Sequence, residues 1–265
     1  RDYVAKTNDG CIHWVLRTRD GWSPRQTQCG VHGIGAEAWL VDINGDGLPD
    51  YVTKTDNDQI HWDLNNGSGY DSANAFGPPK SQSGVHGIGS TRWLIDINAD
   101  GYPDYVAKTN DGNIHWNLNN GDGTWGPPIT QGGVHGLGST RGLKDINGDG
   151  LPDYVAKTDD GNIHWDLNVF RPGATSVLFG PPQTQGGVHG LGAARWLIDI
   201  NGDGLPDYVA KTSDGNIHWD LNTGTGWGPP VTQGGVHGLG TVQWLADIDG
   251  DGLPDYVAKN DDGLI

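Results

Sequence analysis

The chain has 265 residues and a formal net charge of −17, from 33 acidic against 16 basic side chains, so a nucleic-acid backbone would repel it. Gly occurs 45 times, Trp twelve times, Phe three times and Met never, and helix-propagating Ala/Leu/Glu/Lys stretches are missing, which predicts an all-β chain of short strands and tight turns. No run of eighteen apolar residues and no basic, apolar leader occurs, so neither membrane insertion nor a retained signal peptide is expected.

A repeat dominates the sequence. The triplet Ile-His-Trp ends at Trp14, Trp62, Trp116, Trp165 and Trp219, in steps of 48, 54, 49 and 54 residues. The longer steps place extra residues between the triplet and a Pro-Pro pair, so they read as loop insertions. Each full unit predicts four strands in order: a, Trp-Leu-x-Asp-Ile; b, Asp-Tyr-Val-Ala-Lys-Thr; c, Asn-Ile-His-Trp-Asp-Leu-Asn; d, Thr-Gln-Gly-Gly-Val-His-Gly. Asn-Gly-Asp-Gly follows a, Asp-Gly follows b, and Gly-x-Gly-Trp-Gly-Pro-Pro follows c, which is turn chemistry at every junction. Four antiparallel strands in a unit of this length make a propeller blade.

The expected architecture is therefore one β-propeller domain over residues 1–265, of about five blades, with six possible. The chain opens on strand b at Asp2-Tyr3-Val4 and ends on strands a and b of another copy, so the ring is expected to close through strands shared between the ends. Six copies of Asp-Tyr-Val accompany five copies of each other strand, and the sequence does not place the surplus one.

The two cysteines lie in the first unit, Cys11 where later copies have Asn113, Asn162 and Asn216, and Cys29 where they have Gly132, Gly186 and Gly234. On a c–d hairpin centred near Asp20 they face each other, which predicts a cross-strand disulfide and, with it, an oxidising, secreted or extracellular setting.

The a–b turn carries the densest chemistry. Its nine residues, as in Asp-Ile-Asn-Gly-Asp-Gly-Leu-Pro-Asp, put side-chain oxygens at positions 1, 3, 5 and 9, allow a carbonyl ligand at 7, and have Gly at 6 for the sharp turn. Five complete loops follow this pattern, at 42–50 (Asp42, Asn44, Asp46, Leu48, Asp50), 96–104 (Asp96, Asn98, Asp100, Tyr102, Asp104), 145–153 (Asp145, Asn147, Asp149, Leu151, Asp153), 199–207 (Asp199, Asn201, Asp203, Leu205, Asp207) and 247–255 (Asp247, Asp249, Asp251, Leu253, Asp255). They predict about five Ca2+ ions per chain. An EF-hand is excluded, because position 12 is Thr53 or Ala107 rather than Glu and the flanks are strand-like.

Strand a, this loop, strand b and the segment Asn119-Asn120-Gly121-Asp122-Gly123-Thr124-Trp125-Gly126-Pro127 resemble the FG-GAP/VCBS repeats of the integrin α-chain propeller. They are closer still to the fungal integrin-like propeller lectins. The resemblance implies a calcium-stabilised propeller and, for the lectin branch, extracellular sugar sites around the ring. Those relatives commonly have seven repeats, and the Ile-His-Trp and Val-His-Gly segments are not part of their pattern.

Almost every polar group is repeated, and no nucleophile motif or lone carboxylate pair stands out, so no enzyme activity is expected. Equivalent sites on a ring suit multivalent binding of glycans or glycoproteins, and a lectin is the first reading. The alternatives are an integrin-like protein-adhesion module and, further off, a propeller polysaccharide lyase. The expected sugar contacts lie on the rim opposite the metal loops, where aromatic faces meet hydrogen-bonding groups. They are His32 and Trp39; His86, Arg92 and Trp93; His135 and Arg141; His189, Arg195 and Trp196; and His237 and Trp244. The competing role for them is packing between blades.

Overall fold

The structure, a computed structural model, describes residues 3–259 apart from 8, 34, 36, 56, 57, 69–73, 88, 90, 137, 139, 172, 173, 175–177, 191, 237, 239 and 241. Among the described residues there is no helix, and none that could cross a membrane. Everything regular is antiparallel strand.

Sheets follow one another in chain order. The first has three strands, β1 (Tyr3–Lys6), β2 (Cys11–Val15) and β5 (Gln26–Cys29), with a small hairpin of β3 (Arg17–Thr18) and β4 (Gly21–Trp22) between the last two. Four-stranded sheets come next: β6 (Glu37–Val41), β7 (Asp50–Lys54), β8 (Gln59–Asp63) and β9 (Lys80–Ser83); then β10 (Thr91–Ile95), β11 (Asp104–Lys108), β12 (Ile114–Asn117) and β13 (Ile129–Gln131). Two more follow: β14 (Thr140–Lys144), β15 (Asp153–Lys157), β16 (Ile163–Asp166) and β17 (Gln183–Gln185); then β18 (Ala194–Ile198), β19 (Asp207–Lys211), β20 (Ile217–Asp220) and β21 (Val231–Gln233). The last sheet is the pair β22 (Val242–Ala246) and β23 (Asp255–Lys259). Residues Arg1–Thr109 with Ile114–Thr130 form one compact unit, and Asn110–Asn113 with Gln131–Ile265 a second.

The Asp-Tyr-Val-Ala-Lys strand, with Thr53 in place of Ala in β7, is the second of each four-stranded sheet and is buried along its whole length. Strand alternation sorts its side chains between two faces. On one face Trp39, Val52 and Trp62 lie opposite one another across β6, β7 and β8. That row joins Ile43, Ile60, Val85, Tyr105 and Trp125 in the core of the first unit, and Ile146, Val155, Ile163, Trp165, Val188, Tyr208 and Trp227 repeat the arrangement in the second. Each large side chain so buried contributes about 1.5–3 kcal/mol.

Cys11 and Cys29 are directly opposite on β2 and β5 and form the expected disulfide. Two strand boundaries differ from the sequence reading. Strand a lies earlier, at Glu37–Val41 rather than across Asp42 and Ile43, because the Asp42 carboxylate accepts loop N–H groups and starts the turn. Strand d stops at Gln131, Gln185 and Gln233, short of Gly-Gly-Val-His, because Gly133, Gly187 and Gly235 take φ of 78°, 78° and 73°, which ends an extended strand.

Candidate functional site: metal loops and sheet junctions

The first residue of each a–b loop organises the turn. Asp42 Oδ1 accepts from Gly45 N at 2.7 Å and its Oδ2 from Gly47 N at 2.7 Å. Asp145, Asp199 and Asp247 repeat both bonds, and Asp96 makes the second of them, to Gly101 N. Ala99 takes the place of the first loop glycine in the second loop and is held at φ 58°, a conformation unfavourable for a residue with a Cβ.

The ninth residue is a buried tie between segments. Asp104 Oδ2 accepts from Ile97 N at 3.1 Å and Oδ1 from Asn119 N at 2.7 Å, and Asp50, Asp153 and Asp207 do the same. Burial pushes the carboxyls up, to about 6 for Asp50 and about 7 for Asp104 and Asp153, against the pull of these N–H donors. Carboxylates at positions 1 and 5 push further in the same direction.

Those donors fit a hard divalent cation. In the last loop one carboxylate oxygen from each of Asp247, Asp249 and Asp255 lies within 4.8 Å of the others, close enough to share one ion whose oxygen ligands stand at about 2.3–2.6 Å. The positions Asn44, Asn98, Asn147 and Asn201 keep their side chains within the loop, where each Nδ2 donates to the Asp two residues on.

The Val-His-Gly segments do not stand open on a rim but lie across the sheet they lead into. His32 donates its backbone N–H to Asp63 Oδ2 at 3.2 Å, holds Nδ1 3.0 Å from the same oxygen, and places its ring 4.6 Å from that of His61. His135 repeats this with Asp166 and His164, and His189 with Asp220 and His218. His86 meets Asn117 through its N–H and stacks on His115 at 3.5 Å. The second Gly after the His must pass close to strand b: a Cβ on Gly138 would lie 2.5 Å from Lys157 O. His237 lies outside the described residues.

Arg141 and Arg195 donate to the carbonyls of Gly138 and Gly192, and Arg92 donates to Gly89 O while pairing with Glu37 at 2.7 Å. Trp39 packs edge-on against Tyr105 at 6.4 Å and Trp196 against Tyr256 at 6.2 Å. Trp93 is half-buried, and Trp244 is 42% exposed. Most of the expected sugar contacts are thus engaged in packing or hydrogen bonding within or between sheets.

Several repeated polar residues carry structural roles that the sequence reading did not assign. Gln28, Gln82, Gln131 and Gln185 each bond the backbone of Phe76, Trp125, Phe179 and Trp227 in turn, with both ends of the amide. Asn119 and Asn222 reach back to Ile43 O and Ile146 O at 2.8 Å. Asp63 and Asp220, which close strand c, are buried and have raised pKa values; burial is the main cause, opposed by His32 and His189. Lys54, Lys157 and Lys211 are buried over Tyr105, Tyr208 and Tyr256, and burial pulls the Lys157 ammonium below its usual value. The available signal was recurrence of the same polar residue at one phase of the repeat.

In the second unit, a cleft of about 150 Å³ opens where the β14–β17 sheet meets β18–β21, with Trp165, Gln183, Asn222 and Trp227 in its lining. A neighbouring hollow of about 210 Å³ lies between Asn147, Asp149 and Leu151 of the third a–b loop and Phe170 and Arg171.

The model of the FG-GAP-like repeat matches residues 96–156 and 199–258, so these stretches carry FG-GAP-like repeats. No curated protein matches the chain. Among solved structures, one described as the crystal structure of TcdB2-TccC3-TEV is similar over 96% of this chain at 17% identity, with a TM-score of 0.37. This chain spans about 16% of that one's length.

Proposed function

We propose that the protein is a calcium-stabilised, multivalent carbohydrate-binding module acting outside the cell, and a binder rather than an enzyme. Its sheets serve as the blades of a propeller of about five, closed by strands shared between the first and last sheets.

The observation carrying the reading is the repetition of one sheet design, each copy joining its first two strands by an oxygen-rich loop, together with an indole-walled cleft at a sheet junction. A bound Ca2+ would neutralise carboxylates that otherwise raise one another's pKa, and Asp247, Asp249 and Asp255 would hold it in the last loop. Repeated weak sites gain avidity on a multivalent glycan surface. The Cys11–Cys29 disulfide suits an oxidising compartment.

A glycan array in calcium, with free monosaccharide as competitor, tests this. Competed binding to a defined set of sugars supports the reading, and a flat array overturns it. The FG-GAP-like match favours a second reading, protein adhesion, which a flat array combined with saturable binding to an extracellular-matrix protein would support.

A further inference from the structure

We propose that the second unit carries two proton relays, each ending on a proton shared by a histidine and a buried aspartate, which act as acid-sensitive latches holding the Val-His-Gly segments on strand c. One runs Asp214, Thr212, His218, Thr232, His189, Asp220. The other runs Asp160, Thr158, His164, Thr184, His135, Asp166. In each, the strand-c histidine and the histidine of the Val-His-Gly segment meet through one threonine hydroxyl.

Counting donors fixes the direction of the first relay. Thr212 gives its hydroxyl proton to the Asp214 carboxylate, so its oxygen accepts from His218 Nε2, 3.2 Å away. A neutral His218 then accepts at Nδ1, where the Thr232 hydroxyl stands at 2.8 Å. Thr232, having donated its proton, accepts from His189 Nε2 at 3.1 Å. His189 Nδ1 lies 3.2 Å from Asp220 Oδ2, and without a proton between them a ring lone pair would face a carboxylate. The His189 backbone N–H donates to the same oxygen at 3.1 Å. Burial favours the carboxylic acid and the contacts from His189 favour the carboxylate, so one proton is shared between the two groups.

The first unit supplies the comparison. Asn117 replaces the acid beside His86, so no proton can be shared; His86 turns Nδ1 to Gly87 O at 3.1 Å and stacks on His115 within 14° of parallel. The rings of His32, His135 and His189, each beside an aspartate, instead stand at 44°, 41° and 42° to their partners. Where Ser81 replaces the bridging threonine, His61 Nδ1 has no hydrogen-bond partner among the described residues, and the relay is broken. Strand registers match in all these sheets, so the differences follow the acid and the hydroxyl.

A further proton has its place on His218 Nδ1. It makes Thr232 accept from both rings and sets a second positive charge beside the first, with the ring centroids 4.5 Å apart. Burial and His189 both resist this, so acid favours the state in which His189 leaves Asp220 and frees Val188-His189-Gly190. Lys211 from β19 adds to the repulsion of His218, Asp214 and Asp220 oppose it, and Lys157 from β15 faces Asp220. Tyr208, with Arg195 beside it, is pushed up to about 12 by burial and stays neutral. Around the second relay the facing groups are Lys157, Asp160, and Tyr154 with Arg141 beside it.

Imidazole ¹⁵N spectra and amide hydrogen exchange on the full chain in calcium test both parts. At pH 7.5 His218 should be the Nε2–H tautomer, and a low-field proton should lie between His189 Nδ1 and Asp220. Below about pH 6.5, protection of the His189 amide, corrected for intrinsic rates, should fall about tenfold per pH unit, as uptake of one proton on opening requires. Asp220→Asn should remove the low-field signal and turn His189 Nδ1 to a carbonyl, as in His86. Thr232→Val should stop the His189 signals from shifting as His218 titrates, and Thr232→Ser should keep that coupling. A wild-type spectrum with no low-field proton on His189 overturns the relay, and pH-independent protection overturns the latch. Both of these readouts use the wild-type chain, so they decide the matter even if a variant fails to fold.

Discussion

Gln82 closes both ends of its side-chain amide on the backbone of Trp125, forty-three residues further on: Nε2 donates to Trp125 O at 2.7 Å and Oε1 accepts from Trp125 N at 2.9 Å. The pair works as an artificial strand contact between two sheets that share no ladder. Gln82→Leu keeps the volume but leaves a buried backbone donor and acceptor without partners, at about 1–3 kcal/mol for each such group. Chemical denaturation should register the loss as a lower midpoint. An unchanged midpoint would show that water replaces the clamp.

Calcium should raise the melting temperature and magnesium should not substitute, because the smaller ion prefers a tight octahedral shell and these loops offer a wider oxygen set. Each site held at a hundred times its dissociation constant adds about 2.7 kcal/mol. Elemental analysis of dialysed protein should find about five calcium ions per chain, and Asp203→Ala should lower the count by one. Fewer than three in the wild type would refute the assignment.

The fold was legible because its signals are periodic. Trp62 and its counterparts, the Asp-Tyr-Val strand and the turn glycines recur at one phase, and Cys11 and Cys29 could be paired by counting along a hairpin. What recurrence could not reveal is which side a repeated polar residue faces. His32 and His189 look the same in sequence whether they meet solvent or a carboxylate, and their partners Asp63 and Asp220 lie thirty-one residues away. The acidic loops were readable because all their side-chain oxygens are local in sequence, whereas the cleft beside Trp165 draws its lining from two different sheets.

A small departure from the repeat marks a weak point. His13, His115, His164 and His218 each place Nδ1 2.8 Å from a threonine hydroxyl on strand d. His61 faces Ser81 instead, and its Nδ1 is buried without a partner. Ser81→Thr restores the consensus hydroxyl with the stiffer rotamer of a β-branched residue. Thermal unfolding should show a gain of about 1 kcal/mol, and a loss would mean that the extra methyl group does not fit.

His218 should make the protein sensitive to mild acid. Burial, followed by the neighbouring His189, lowers its pKa, with Lys211 adding to the effect and Asp214 and Asp220 opposing it. The folded state therefore binds this proton less readily than the unfolded chain, whose His titrates near 6.5. Its contribution is fully present above that value and is lost as the pH falls toward the folded pKa. Melting curves from pH 7.5 to 5.5 at constant calcium should fall less steeply for His218→Asn than for the wild type. Parallel slopes would remove His218 from the account.

Substitution of Trp196 separates a packing role from a ligand-binding one. Its ring packs edge-on against Tyr256 at 6.2 Å, and Val209 and Trp219 extend the same row across the sheet. Truncating a tryptophan in that position removes packing worth about 3–5 kcal/mol. Trp196→Ala should accordingly lower the denaturation midpoint, while the number of sugar sites counted by calorimetry below the transition stays the same. Trp196→Phe, which keeps an aromatic edge against Tyr256, should recover most of the stability. Loss of one sugar site with no loss of stability would instead return the binding surface to the end that carries His189, Arg195 and Trp196.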